Sequence, residues 1–213
     1  MFNLNTDLLV IDLEATAGID ENGKQTNNYI IDIGAVLLNK KLEIVSTFES
    51  LVKPEEPISE FITKLTKIDN DMVKNEELLP VVADKFYNWL IKSLEGRSIK
   101  KVRLCAWGTY FDIPLLRNVY NKYNIHYPFS GTAFDIKTMA MMWHSLSGRK
   151  TDKLQVSTVA REMDIKVNGN FHRALIDAEV EAEILQRVWG DLQGFFIEGK
   201  KGIEHITMTS TKI

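Results

Sequence analysis

The order of apolar runs along this chain predicts an α/β fold built on a mixed sheet. Two strand-like segments early in the chain, Tyr29 to Leu38 and Leu42 to Val52, are separated only by Asn39-Lys40-Lys41, short enough for an antiparallel hairpin. Further on, strand-like and helix-like segments alternate, giving the order β-β-β-α-β-α-β-α, which reads as one α/β domain. The 213 residues, 45% of them hydrophobic and 26% charged, suffice to bury a substantial core.

Leu8 to Ile11 is short and wholly apolar, as expected of a strand covered on both faces. The polar segment Thr16 to Asn28, with Gly18 and Gly23, reads as a loop. After the hairpin, Pro54 and Pro57 break the pattern, and Ile58 to Leu65 reads as a short helix. Val81 to Leu94 is an amphipathic helix carrying Val82, Phe86, Trp89, Leu90 and Ser93 along one side, with Pro80 at its start. Val102 to Trp107 is the next strand, Gly108 ends it, and a helix follows over Ile113 to Tyr123. Thr132 to Ile136 is a last short strand, followed by a helix through Trp143. Ser145 to Asp152 is a polar, basic loop, and Leu154 to Met163 a further helix.

The last helix spans Arg173 to Trp189, because Leu175, Ala178, Ala182, Leu185 and Trp189 recur at helical spacing. Residues 1–190 form the expected domain. Residues 191–213 are an extension, of which 200–213 read as a strand-like tail or as partly disordered.

The bulk numbers set bounds. A net charge of −3 and a pI of about 5.9 advertise no general affinity for nucleic acid, although a local basic rim or bound metal can supply it. The single cysteine, Cys105, reads as a small core residue and excludes an internal disulfide. No apolar stretch is long enough to span a membrane, and the N-terminus lacks a secretory pattern. The expectation is a reduced, soluble, cytoplasmic protein with no membrane partner.

The chemistry starts from Asp12 and Glu14, two acids one residue apart at the end of the first strand. Carboxylates there are costly unless positive charge sits between them. Asp112 lies five residues past Trp107, at a helix start, and Asp177 lies one turn into the last helix, beside its apolar face. Sites in open α/β sheets form at the carboxyl ends of strands, where strand order reverses. Acids meeting there call for Mg²⁺ or Mn²⁺ rather than zinc. Two such ions roughly 4 Å apart can clamp the attacking and leaving oxygens of a phosphoryl transfer. His172, five residues before Asp177, is suited to taking a proton from water.

Asp-x-Glu at a strand end, Phe-Asp opening a mid-chain helix and His-x₄-Asp near the C-terminus together resemble the DEDDh family of 3′–5′ exonucleases. That family includes the proofreading subunit of bacterial DNA polymerase III and the RNase T-like and Eri-1-like RNA-trimming enzymes. IIDIGAVLLN is similar to the family's second strand, LTKID to its Leu-Thr-Gly-Ile segment, and WGTYFD to its second motif. The resemblance covers about residues 7–190, and VIDLEAT…WG…FHRALIDAE leans toward the Eri-1-like branch.

It implies a ribonuclease H-like fold: a five-stranded mixed sheet, three antiparallel strands beside two parallel ones, flanked by helices. It implies that Asp12, Glu14, Asp112 and Asp177 carry two metal ions, Asp12 bridging both, with His172 as general base. The implied substrate is a single-stranded RNA or DNA 3′ end, released as nucleoside 5′-monophosphates. The implied alternatives are a DNA proofreading module working with a polymerase or other protein partner, and a non-catalytic nucleic-acid-binding protein. The chain departs from the family at Ala15, where many proofreading members have threonine, and at Lys67, where glycine is common. The second departure bears on how the terminal nucleotide is seated.

Other residues have simpler readings. Asp32 is expected to be a satisfied structural acid and Asp135 a cap or turn residue; His126, His144 and His205 fall outside the motif order. Trp107, Phe111 and Phe171 flank the motifs and could stack on bases, with core packing the first reading for Trp107. Lys64 with Lys67, and Arg149 with Lys150 and Lys153, are basic clusters whose first reading is a solvated surface.

Overall fold

The computed structural model describes residues 4–16, 28–150, 152 and 154–210, without the side chains of 195–210. The chain runs β1 (Leu8–Ala15), β2 (Ile30–Leu38), β3 (Ile44–Leu51), α1 (Glu60–Thr66), α2 (Asn70–Val73) and α3 (Leu79–Leu94). It continues through β4 (Arg103–Ala106), α4 (Asp112–Lys122), β5 (Ala133–Asp135), α5 (Ile136–Leu146), α6 (Val156–Glu162) and α7 (Ala174–Ser210). The segment read as a loop lies mostly outside the described residues; its ends are tied by Thr16 N–H to Tyr29 O at 2.9 Å.

The five strands form one sheet in the order β3-β2-β1-β4-β5. β1 to β3 are antiparallel neighbours, and β4 and β5 run parallel to β1. This is the ribonuclease H-like arrangement of three antiparallel and two parallel strands. The chain leaves β1 toward one edge and returns on its other side, so the order reverses between β1 and β4.

β1 is central, and its two faces feed two cores. Leu9, Ile11, Leu13 and Ala15 pack with α3 and α4, while Leu8 and Val10 pack with α5, α6 and α7. Helices on both sides explain why β1 and β2 read as continuous apolar runs rather than alternating ones. Side chains two apart on a strand share a face. Asp12 and Glu14 therefore continue the Leu8–Val10 row, on the side of α7.

α3 buries Leu79, Val82, Ala83, Phe86, Leu90 and Leu94, and Phe86 stacks on the half-buried Trp89 at 5.6 Å between ring centroids. The apolar face expected of the last helix is also buried, including Ala178, Ala182 and Leu185. The tail reading needs correction. α7 continues through Ser210, so the backbone of 200–210 is helical and not strand-like. Apolar periodicity marks a buried face and does not by itself fix where a helix ends. Residues 211–213 lie outside the described residues. Among the described residues, no helix is long and apolar enough to cross a membrane.

Candidate active site

Each acid arrives at the carboxyl end of β1 by its own route. Asp12 and Glu14 come from β1 itself. Asp112 is the first residue of α4, and its Oδ1 accepts the Leu13 N–H at 3.1 Å. β1 pairs with β4 only from Leu8 to Val10, so Leu13 lies beyond the end of that pairing, and Asp112 supplies its acceptor.

Asp177 comes from α7, which approaches the sheet unusually closely. Asp12 faces Gly34 across the β1–β2 ladder. A Cβ built on Gly34 would lie 2.0 Å from the carbonyl carbon of Ala174. Only glycine leaves room there for the first turn of α7. The same turn is anchored by Asp32, fully buried, whose Oδ2 accepts from Arg173 Nε at 3.1 Å and from the Ala174 N–H at 3.3 Å. Arg173 also reaches Glu49 on β3 at 2.7 Å. Asp32 thus anchors α7 through Oδ2, but its Oδ1 is buried without a partner, so it is not the fully satisfied acid expected; Asp135 caps α5 by accepting from the Thr138 N–H.

His172 sits just before α7 in the left-handed region, at φ 66°. Its N–H donates to Asp177 Oδ2 at 2.6 Å, which sets the loop against the helix. Its ring is half exposed, with Nδ1 3.9 Å from Glu14 Oε1. Single ligand atoms of Glu14, His172 and Asp177 all lie within 4.8 Å of one another. All five residues singled out in the sequence therefore converge: Asp12, Glu14, His172 and Asp177 line an open cleft of about 570 Å³, and Asp112 stands behind it.

Sequence reasoning missed several further residues of this cleft, Glu181 and Tyr110 among them. Glu181, one turn after Asp177, is only 1% exposed, although it sits in the run Glu179-Val180-Glu181-Ala182-Glu183, which looks solvated. The available signal was its spacing of four from Asp177 and its place between Ala178 and Ala182 on the buried face. Tyr110 lines the cleft mouth and is 75% exposed, more than Phe111 at 44%. Trp107 and Phe171 are half-buried against the α7-side core and also line the cleft. Lys137 of α5 adds a positive charge to the wall.

The basic clusters are largely engaged locally. Lys64 pairs with Glu60, Lys67 Nζ donates to the Lys64 carbonyl, and Arg149 lies 4.4 Å over the Trp143 ring; Lys153 is outside the described residues. Lys67 itself is the left-handed C-cap of α1, at φ 63°.

The carboxyls resist ionisation together. Burial pushes Glu14 up to about 8, reinforced by Asp177, Asp32 and Asp112 and relieved by Arg173. Burial raises Asp112 to about 6, although the Leu13 N–H lowers it. Burial also raises Asp12, with Glu181, Asp112, Glu14 and Asp177 adding repulsion, and it raises Asp177 against the opposing His172 N–H. Asp12 Oδ2 is buried without a hydrogen-bond partner. Converging hard oxygen donors with an unpartnered buried oxygen fit a divalent cation of the Mg²⁺ or Mn²⁺ kind.

Comparison with known proteins points the same way. The family model described as "Exonuclease", RNase T, matches residues 9–185. The chain belongs to the RNase T exonuclease family. It is 33% identical over 206 residues to "DNA polymerase III PolC-type" of Caldanaerobacter subterraneus subsp. tengcongensis, covering 97% of this chain and 13% of that protein. It is 27% identical over 199 residues to "ERI1 exoribonuclease 2" of Xenopus laevis, covering 85% of this chain and 28% of that one. The chain thus spans a minor part of these curated relatives. Among solved structures, the nuclease domain of 3′hExo, a DEDDh family member bound to rAMP, superposes with a TM-score of 0.74 at 24% identity, over 89% of this chain and 95% of that domain. Cell-death related nuclease 4 superposes with the same TM-score at 20% identity, over 87% of this chain and 64% of that one. Both are likenesses of fold.

Proposed function

We propose that this domain is a metal-dependent 3′–5′ exonuclease that removes nucleoside 5′-monophosphates from the end of a single-stranded nucleic acid. The observation that carries this reading is the meeting of Asp12, Glu14 and Asp177 beside His172 at one cleft, with Asp112 behind it, in a chain of the exonuclease family. The four acids would hold two divalent cations. Such cations polarise a phosphodiester and neutralise the charge that builds on its oxygens.

The protein's own groups do the rest. Glu14 and Asp177 hold His172 from two sides, one beside its ring and one through its backbone N–H. The half-exposed imidazole is free to accept the proton of an attacking water at the cleft mouth. Tyr110 and Phe111 offer exposed rings on which terminal bases can stack, tolerant of sequence because every base has a π-face.

The test is digestion of 5′-labelled oligonucleotides with and without Mg²⁺ or Mn²⁺. A ladder shortening from the 3′ end, absent in Asp177→Asn, is expected. An Asp177→Asn protein that digests like wild type, or wild type that binds without cutting in either metal, overturns the reading.

A second reading has a specific observation behind it. The similarity to the PolC-type polymerase runs over 97% of this chain, which favours DNA and a polymerase partner. Side-by-side digestion of DNA and RNA oligonucleotides with matched 3′ ends separates the two, because a 2′-hydroxyl is read at the terminal nucleotide.

A further inference from the structure

Glu181 is an unusual residue for the place it occupies. It lies on α7 one turn beyond Asp177, is 1% exposed, and lines the same cleft as Asp12, Glu14 and Asp177. One end of its carboxyl accepts a hydrogen bond from the backbone of Trp107, just past β4. The other oxygen, Oε2, is buried and has no hydrogen-bond partner. Asp12 Oδ2 is in the same condition, and Glu181 is the acid that repels Asp12 most strongly.

Accepting the Trp107 N–H does not require an acid; a glutamine would do it without charge. Burying an ionised carboxylate with a free oxygen beside other carboxylates is costly unless a proton or a cation compensates it. The two unpartnered oxygens belong to acids that line one cleft, where a bound divalent cation would supply the partner that each lacks.

We propose that Glu181 is a fifth carboxylate of the divalent-cation site, acting with Asp12 from the floor of the cleft. This rests on the reading of the cleft as a metal-dependent exonuclease site. Its sense is that α7 contributes two acids to the site, Asp177 and Glu181, one turn apart on the same face. Glu181 also ties the site to the end of β4 through Trp107, so cation binding and the position of the Trp107 segment are linked.

The experiment is calorimetric titration of Mn²⁺ into the cation-free wild type, Glu181→Gln and Asp12→Asn, with the melting temperature of each measured before and after Mn²⁺. Glu181→Gln keeps an acceptor for the Trp107 N–H and removes the charge. It is expected to melt no lower than wild type without cation, to bind Mn²⁺ about tenfold or more weakly, and to gain less stability from Mn²⁺. Glu181→Asp, which retains the charge on a shorter arm, is expected to fall between the two. Wild-type Mn²⁺ affinity in Glu181→Gln, with binding lost in Asp12→Asn, overturns the proposal and leaves the exonuclease site standing. Wild-type affinity in both variants removes the metal-site reading itself. A Glu181→Gln chain that unfolds without cation assigns the carboxylate to packing and also overturns the proposal.

Discussion

Gly34 and Ala174 are in backbone contact: the position a Cβ would take on Gly34 lies 2.0 Å from the Ala174 carbonyl carbon. Gly34 also faces Asp12 across the ladder, so this contact sets how far Asp177 stands from Asp12. Gly34→Ala must push the first turn of α7 off the sheet, because backbone cannot swing away as a side chain can. The expected cost is about 3 kcal/mol, at the upper end of overpacking, with Mn²⁺ affinity falling alongside it. Denaturant unfolding and calorimetry measure the two. A Gly34→Ala protein of unchanged stability and affinity would contradict the close approach.

The acids make the cation-free protein sensitive to pH. The carboxyl of Glu14 is raised to about 8, above its value in an unfolded chain, so the folded state holds a proton that the unfolded state has released. Stability from such a group is fully present below the unfolded value and is lost as pH rises toward the folded one. The melting temperature of the cation-free protein should therefore fall between about pH 5 and pH 8, by roughly 4–8 °C for each ~2 kcal/mol lost. Saturating Mg²⁺ should flatten this slope, since it compensates the ionised acids. A melting temperature that rises over the same interval without cation would refute the account.

His172 contributes separately through its ring and its backbone. His172→Asn keeps the N–H that Asp177 accepts, and asparagine tolerates the left-handed φ of 66°. The expected outcome is a loss of about 10²–10⁴ in kcat, the usual worth of a positioned proton acceptor, with the fold retained. Unchanged turnover would remove the imidazole from the chemistry.

Lys67 carries a backbone cost of its own. The family's common glycine corresponds to the left-handed C-cap of α1, which Lys67 occupies at φ 63°. Lys67→Gly is expected to stabilise the fold by about 1 kcal/mol, as glycine adopts this conformation without Cβ strain. Thermal melts check the stability. Turnover on oligonucleotides reports whether the lysine also contacts substrate, in which case the variant loses activity, less so at high salt.

Much of the candidate site was legible because its signals are local. Asp12 and Glu14 share a face by strand periodicity, and Asp177 sits beside the apolar stripe of its helix by helical periodicity. Glu181 was not legible, since acids at 179, 181 and 183 look alike until the packing shows Glu179 exposed and Glu181 buried. Asp32 read correctly as structural, but its partner did not: Arg173 lies 141 residues away in sequence. The full length of α7 was also hidden, because the apolar period that marks a helix fades after Gly190.

By itself, then, the order of residues determined the strand and helix types, the mixed sheet and the acids able to meet at the end of β1, because periodicity and motif spacing act over a few residues. Only the tertiary structure decided how close α7 comes to the sheet, which oxygens are left without partners, and that Glu181 joins the cleft. Those depend on burial and on contacts between distant segments, and a carboxylate's charge becomes costly only once the surrounding chain has taken the water away.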